Sequence, residues 1–197
     1  MLNNLEKYDV VLGSNSPRRR ELLHDMGVTF RVEAIKEIDE TYPPTLPVEE
    51  IPVYLARIKA EGHPLKADEL LITADTVVVL DETVLGKPTG EADAQRMLRA
   101  LSGRAHRVIS GVCVISGVCV TTRERSEAFA DTSIVHFADL SDDEIDYYIA
   151  HYRPLDKAGA YGIQEWIGNI GIQGINGDFY NVMGLPTRKL YQLLKTF

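Results

Sequence analysis

The chain has little of what several protein classes require. No apolar run in its 197 residues approaches the roughly 18–20 that a membrane helix needs, and the mean hydropathy is −0.11. The N-terminal Met-Leu-Asn-Asn-Leu-Glu-Lys has no basic segment leading into an apolar one, so no secretion signal is expected. Two cysteines, Cys113 and Cys119, are too few for a disulfide framework, and a reducing, cytoplasmic compartment is predicted. Basic charge is scarce as well: 21 Lys and Arg against 29 Asp and Glu give a net charge of −8. That balance argues against a nucleic-acid polymer or an anionic membrane as partner. Gly159-Ala160-Tyr161-Gly162 lacks the Gly-Lys-Ser/Thr ending of a P-loop, and His106 and His136 lack metal-ligand spacing. Neither cysteine has an activating pattern nearby. What remains is globular: 45% hydrophobic and 25% charged residues, on a length suited to one domain over residues 1–197, or one built of two lobes.

Strand and helix patterns alternate along the chain. Tyr8 to Leu12 reads as a short strand running into Gly13-Ser14-Asn15-Ser16-Pro17, where Ser16 as N-cap and Pro17 at the first helical position open a helix. Leu22, Leu23 and Met26 give it an apolar stripe and Gly27 a stop. Glu33 to Pro47 reads as a loop, and Glu49 to Glu61 as a helix with Ile51, Tyr54, Leu55 and Ile58 inward. Leu70 to Leu80 is the strongest strand signal, with a turn at Asp81-Glu82. Ala94, Met97, Leu98 and Leu101 mark another helix, and Ser141-Asp142-Asp143-Glu144 is a capping box opening one with Ile145, Tyr148 and Ile149 inward. Between these helices the pattern is β-rich. It includes Ile-Ser-Gly-Val-Cys-Val twice in tandem, at 109–114 and 115–120, which reads as a hairpin or a lengthened strand. Asn176-Gly177 suggests a hairpin turn, and a last helix runs from about Thr187 to Leu194. The order predicts a mixed α/β sheet.

Two placements go against local preference. Arg18, Arg19 and Arg20 sit in the first turn of a helix, where the dipole and unpaired N–H groups favour anions. Three cations there read either as side chains that reach into solvent and bind nothing or, better, as holders of an anion at that turn. Asp75 lies inside an eleven-residue apolar run, where a carboxylate must be paired, hydrogen-bonded or bound to a metal. It reads either as an Asp bonding turn N–H groups or as a general base or metal ligand on a rigid strand. Asp39 and Glu40 are candidate carboxylate partners for a hard divalent cation. Lys59 and Lys87, taken singly, read as surface charge, and Trp166, the only tryptophan, as a packing residue.

Together these places resemble the Maf family, the septum-formation proteins that act as nucleoside triphosphate pyrophosphatases. The resemblance is carried by Gly13-Ser14-Asn15-Ser16-Pro17-Arg18-Arg19, Ile38-Asp39-Glu40, Ala56-Arg57-Ile58-Lys59-Ala60, Ala74-Asp75-Thr76-Val77, Gly86-Lys87-Pro88, the run from Leu155 to Gln164, and Val182-Met183-Gly184-Leu185-Pro186. It departs from the family at Gly13, where Ala is usual, at Trp166, where a small residue is usual, and in the hexapeptide duplication. The resemblance implies an α/β fold, a mixed twisted sheet flanked by helices in two lobes around a deep cleft. It implies hydrolysis of a nucleoside triphosphate to the monophosphate and pyrophosphate, a divalent cation (Mg or Mn) as cofactor, and a possible homodimer. Asp75 is similar to the family's proton acceptor and, with Glu40, to its metal ligands. Ser16, Arg19, Lys59 and Lys87 match the phosphate region. Arg18, Thr76 and Gln164 match the positions that separate subgroups, and resemble the dTTP/UTP subgroup rather than the one acting on 7-methyl-GTP. A nucleotide-binding regulator of septum formation would also use the arginines, but it leaves the carboxylate in an apolar strand unexplained. A nucleotidyltransferase would need an acceptor site that the sequence does not supply.

Overall fold

A computed structural model describes residues 2–33, 40–119 and 122–197, with side chains at 118, 119 and 122–124 left out of the description. Ile38 and Asp39, two residues of the candidate carboxylate loop, lie outside it, as does the last residue of the second hexapeptide. The described elements are β1 (Asp9–Gly13), α1 (Pro17–Asp25), β2 (Arg31–Val32), α2 (Ile51–Glu61), β3 (Glu69–Leu80), β4 (Thr83–Leu85), α3 (Glu91–Leu101), β5 (Ala105–Cys119), β6 (Thr122–Phe137), α4 (Asp142–Tyr152), α5 (Trp166–Gly171), β7 (Ile172–Asn176), α6 (Phe179–Met183) and α7 (Thr187–Leu194). Short 3₁₀ turns precede β1 and follow α4. The strands form a mixed seven-stranded sheet in the order β2-β1-β3-β5-β6-β7, with β4 paired to β3. No helix among the described residues is long and apolar enough to cross a membrane.

The chain divides into two compact units. The first holds residues up to Asp75, Ser110–Asp131 and Gly184–Phe197. In it β1 pairs in parallel with β2 and with β3, Gly13 standing opposite Thr73. Its core includes Val11, Ala56, Ala60, Leu71, Cys113 and Ile115. The inward face of α2 differs from the expected stripe. Ile51 and Leu55 are buried as anticipated, but Pro52, Ala56 and Ala60 are buried too, whereas Tyr54 and Ile58 are only half-buried. The reason is close approach: a Cβ on Gly111 would stand 2.3 Å from the backbone of Pro52 and Val53. A Cβ on Gly117 would stand 2.2 Å from the Lys66 carbonyl oxygen. These glycines occupy the same place in the two hexapeptides. Six residues is an even step, so both face the 52–66 segment from one side of β5. Of the two readings of the repeat, the lengthened strand is the one found: β5 carries it from Ile109 through Cys119.

The second unit comprises Thr76–Ile109 and Thr132–Met183. Its core joins Val78 and Leu80 of β3 to Leu98 and Leu101 of α3, Val135 and Phe137 of β6, and Ile145, Tyr148 and Ile149 of α4. The capping box forms as read: Ser141 Oγ accepts from the Glu144 N–H, and the Glu144 carboxylate accepts from the Ser141 N–H. Asn176-Gly177 does not make a hairpin. It ends β7 and leads into α6, because Ser133 Oγ accepts from the Asp178 N–H and donates to its carbonyl oxygen, both at 3.0 Å. Gly177, at φ 132°, leaves no room for a side chain, since a Cβ would meet Ser133 Oγ at 2.7 Å.

His106 is structural, as its sequence context suggested. It is 3% exposed, its Nε2 lies 2.7 Å from the Tyr161 hydroxyl, and no described group partners its Nδ1. Burial, helped by the charge of His136, lowers its pKa from 6.5 to about 4. The unfolded chain therefore binds a proton near pH 6.5 that the folded chain refuses until about pH 4. His106 contributes full stability above that window and loses it as the pH falls through it, by about 3 kcal/mol. Urea unfolding of His106→Gln should show a flatter acid limb between pH 7 and 4 than the parent. Two parallel curves would rule the histidine out as its source.

Candidate active site

In the first unit the functional candidates gather where β1 ends and α1 begins. Ser16 caps α1 by accepting from the Arg19 N–H, and Pro17 fills the first helical position, so the chain turns sharply after Gly13. The Ser14 hydroxyl accepts from the Ser16 N–H at 3.2 Å and from Arg19 Nη1 at 3.4 Å. Arg19 also donates from Nη1 to the Ala74 carbonyl at 2.7 Å and from Nε to the Gly184 carbonyl at 2.9 Å. Its fork thus ties the β1–α1 turn, β3 and the start of the C-terminal segment together. Burial lowers the pKa of this guanidinium and the like charge of Arg18 adds to that, while Asp75 and Glu40 oppose it.

Asp75 lies two residues beyond Thr73, the partner of the last residue of β1, in the region outside the carboxyl ends of parallel strands where α/β folds place ligands. Along β3 the burial is continuous except at Asp75 and Thr76, the two half-buried residues of the strand. Lys59, on the last turns of α2, donates from Nζ to Asp75 Oδ1 at 2.5 Å and stands 2.8 Å from Glu40 Oε1. One ammonium therefore bridges two carboxylates, with the Lys59 and Asp75 side chains only 14% and 13% exposed. Lys59 is no ordinary surface charge, contrary to its reading in isolation. Carboxylate oxygens converging on a cation are hard donors of the kind that could hold a divalent metal ion.

In the second unit, Thr76 is half-buried on β3, Lys87 is exposed in the loop after β4, and Gln164 is exposed between buried Ile163 and half-buried Glu165. The Gly159 N–H donates to the Gly86 carbonyl, holding the Lys87 loop to the segment after α4. Gly159 is needed there: its φ is +67° and a Cβ would press on Val78 at 3.0 Å. Trp166 packs against the core and lies tilted on Tyr147 with ring centroids 4.8 Å apart.

A group the sequence did not reveal joins Glu33, His63 and Glu69, whose ligand atoms lie within 4.8 Å of one another. The buried Glu69 carboxylate also accepts from the Lys66 N–H and pairs with Arg31 and the Lys66 ammonium. Burial acts to raise the Glu69 pKa, but the hydrogen bonds from Lys66 and His63 and the Lys66 charge outweigh it and hold it below the usual carboxylate value. The cluster is a charge-compensated network at the start of β3, about 20 Å from Asp75 at the ordinary rise per strand residue. Only Glu69, in the acidic start of an apolar strand, hinted at it.

The chain matches the family of Maf-like proteins over residues 9–197. A relative from Porphyromonas gingivalis named dTTP/UTP pyrophosphatase is 55% identical over 201 residues, covering 100% of this chain and 98% of that protein. One of the same name from Phocaeicola vulgatus is 54% identical, with 99% of each chain covered. Among solved structures, the Ham1 protein of Staphylococcus aureus aligns with a TM-score of 0.51 at 16% identity, over 94% of this chain and 99% of that one, which bears on the fold alone. With a family match across nearly its whole length and full-length relatives above half identity, the chain belongs to the Maf family.

Proposed function

We propose that this chain, acting as one domain over residues 1–197, hydrolyses dTTP and UTP to the monophosphate and pyrophosphate in the cytoplasm. The observation that carries the reading is the half-buried Asp75 carboxylate, at the one break in the burial of β3, bonded to the Lys59 ammonium that also pairs with Glu40. The names of the full-length relatives supply the substrate class.

In the proposed reaction, water attacks the α-phosphorus and Asp75 accepts its proton. The new O–P bond replaces the bridging P–O bond to the β-phosphate, and pyrophosphate leaves with the electron pair. Lys59 orients Asp75 through its 2.5 Å bond and adds positive charge. Ser16, Arg18, Arg19 and Lys87 supply donors and cations for the triphosphate, whose charge shifts toward the leaving pyrophosphate. Asp75 and Glu40 would hold the divalent cation, which when bound neutralises phosphate charge as a Lewis acid. Gln164 takes the base: its amide has both a donor and an acceptor for the imide edge of thymine or uracil. Thr76 and Arg18 complete the selective set.

The experiment is pyrophosphate release from dTTP, UTP and 7-methyl-GTP, with Mg²⁺ and with EDTA. The expected result is release from dTTP and UTP that stops in EDTA; no release from either nucleotide would overturn the reading. Gln164→Glu replaces an amide donor by a carboxylate that repels the pyrimidine oxygens. It should reduce the dTTP to 7-methyl-GTP ratio of kcat/KM by roughly tenfold, and an unchanged ratio would remove Gln164 from base reading.

A further inference from the structure

A second polar network lies in the segment that carries Gln164, made of residues that the catalytic reading does not use. Tyr148, on α4, is fully buried. Its hydroxyl accepts from the Gly162 N–H at 3.0 Å and donates to Glu165 Oε2. The other carboxylate oxygen, Glu165 Oε1, pairs at 3.1 Å with Lys157 Nζ, which also donates to Asp156 Oδ1 at 2.8 Å. Lys157 is itself buried, at 7% exposure, so its charge is spent on these two carboxylates. Burial and the Glu165 carboxylate both raise the Tyr148 pKa, which keeps its hydroxyl protonated and donating.

The chain is shaped to fit this network. A Cβ on Gly162 would stand 2.9 Å from the Glu165 carboxylate carbon and 3.1 Å from Lys157 Cε, so the pair lies directly against a glycine. The Glu165 N–H donates to the Gly162 carbonyl at 3.0 Å, and the Glu165 carbonyl accepts from the Gly168 N–H at 2.9 Å. Gly168 packs so closely on Ile163 that a Cβ would stand 1.7 Å from its carbonyl oxygen. The backbone is therefore pinned at Gly162, at Ile163 and at Glu165, while the residue between the last two, Gln164, is exposed. A side chain that discriminates by a pair of hydrogen bonds needs its Cα held to within about 0.5 Å, and a loop fixed only by solvent-exposed bonds does not provide that.

We propose that Tyr148, Glu165 and Lys157 are positioning residues for base selection, acting through Gln164 by fixing the backbone on both sides of it. The inference rests on the reading of Gln164 as the base-contacting residue. It differs from a merely structural role in one measurable respect. A network that only holds the fold lowers turnover on every substrate alike. One that acts through Gln164 alters selectivity and has nothing left to alter once Gln164 is gone.

The test is a double-mutant cycle on kcat and KM for dTTP and 7-methyl-GTP, measured by pyrophosphate release. Tyr148→Phe should reduce the dTTP to 7-methyl-GTP ratio of kcat/KM by about tenfold, the size expected from losing one well-placed hydrogen-bonded contact. The change should fall on KM for dTTP, with kcat within about twofold of the parent. In a Gln164→Ala background the same substitution should change the ratio by less than about twofold. Glu165→Gln, which keeps the side-chain shape but turns an amide toward Lys157, should shift the ratio in the same direction and replaces Tyr148→Phe if that variant does not fold. Multiplicative losses, or an equal fall in kcat for both nucleotides, would overturn the proposal, as would a Tyr148→Phe enzyme that keeps the parent ratio while Gln164→Ala loses it. If Gln164→Ala itself leaves the ratio unchanged, the reading of Gln164 fails and the positioning role falls with it.

Discussion

Asp75→Asn should lower kcat for dTTP hydrolysis by about 10²–10⁴, the range expected when a positioned general base is removed. The substitution is nearly isosteric, so the opening in β3 keeps its shape. It should also fold. Lys59 remains within 2.8 Å of Glu40, and its ammonium is not left buried without a carboxylate. Arg19 stays bonded to the Ala74 and Gly184 carbonyls. What is lost is the proposed proton acceptor and one negative charge beside the cations proposed to hold the triphosphate. The second loss acts in two directions, since it weakens the proposed hold on a divalent cation and reduces repulsion of phosphate; with Mg²⁺ at saturation the first is offset, and KM for dTTP should be unchanged or lower while kcat falls. A fall in kcat with KM steady or reduced marks a group that acts on the transition state, whereas a rise in KM alone would mark a binding residue. Parent turnover by Asp75→Asn would remove Asp75 from the base role, and steady-state kinetics on the purified variant decide it.

The parts of this site written in local chemistry are legible in the sequence alone. Ser16 and Pro17 announced the start of α1, because capping and a fixed φ depend on neighbours in the chain. Asp75 stood out because a carboxylate in an apolar run has no local explanation. Lys59 could not be read that way. Its position on a helix fixes only a direction, and its partners at Glu40 and Asp75 are set by how α2 packs on the sheet. That packing depends on Gly111, more than fifty residues on, which lets the α2 backbone sit on β5 and turns Pro52, Ala56 and Ala60 inward in place of Tyr54 and Ile58. The Tyr148–Glu165–Lys157 network was hidden for the same reason. The spacing of α4 shows Tyr148 as inward-facing, but an apolar stripe does not say where a hydroxyl goes. Asn176-Gly177 misled because its backbone preference suits a hairpin, while the bonds between Ser133 and Asp178 use the same flexibility to leave a strand for a helix.

Arg19→Met tests whether Arg19, besides the triphosphate contact proposed above, is a strut of the fold. Among its donors, Nε and Nη1 are directed at protein oxygens: the Gly184 carbonyl, the Ala74 carbonyl and the Ser14 hydroxyl. Hydrogen bonds from a charged donor contribute about 1.5–3 kcal/mol each, and two of these are short. Methionine keeps much of the length and apolar volume but donates nothing. Against the loss stands the relief of no longer burying a cation, the same desolvation that lowers the pKa of Arg19. The net cost should be about 2–4 kcal/mol, which for a chain of this size lowers Tm by about 5–15 °C. A residue kept only to bind phosphate behaves the opposite way, because removing a cation crowded by Arg18 leaves stability unchanged or raises it. Arg19→Lys separates the contributions further: it restores the charge but replaces a rigid fork by a single ammonium, which cannot span the Ala74 and Gly184 carbonyls together. If Arg19 is a strut, the lysine variant should recover less than half of the lost Tm. If Arg19 serves only as a cation for the triphosphate, both variants should melt with the parent and the lysine should restore KM. Thermal melts and dTTP kinetics on the two variants decide between these outcomes. The first result would mean that the arginine holds the catalytic strand in place from one residue away, through the carbonyl of Ala74.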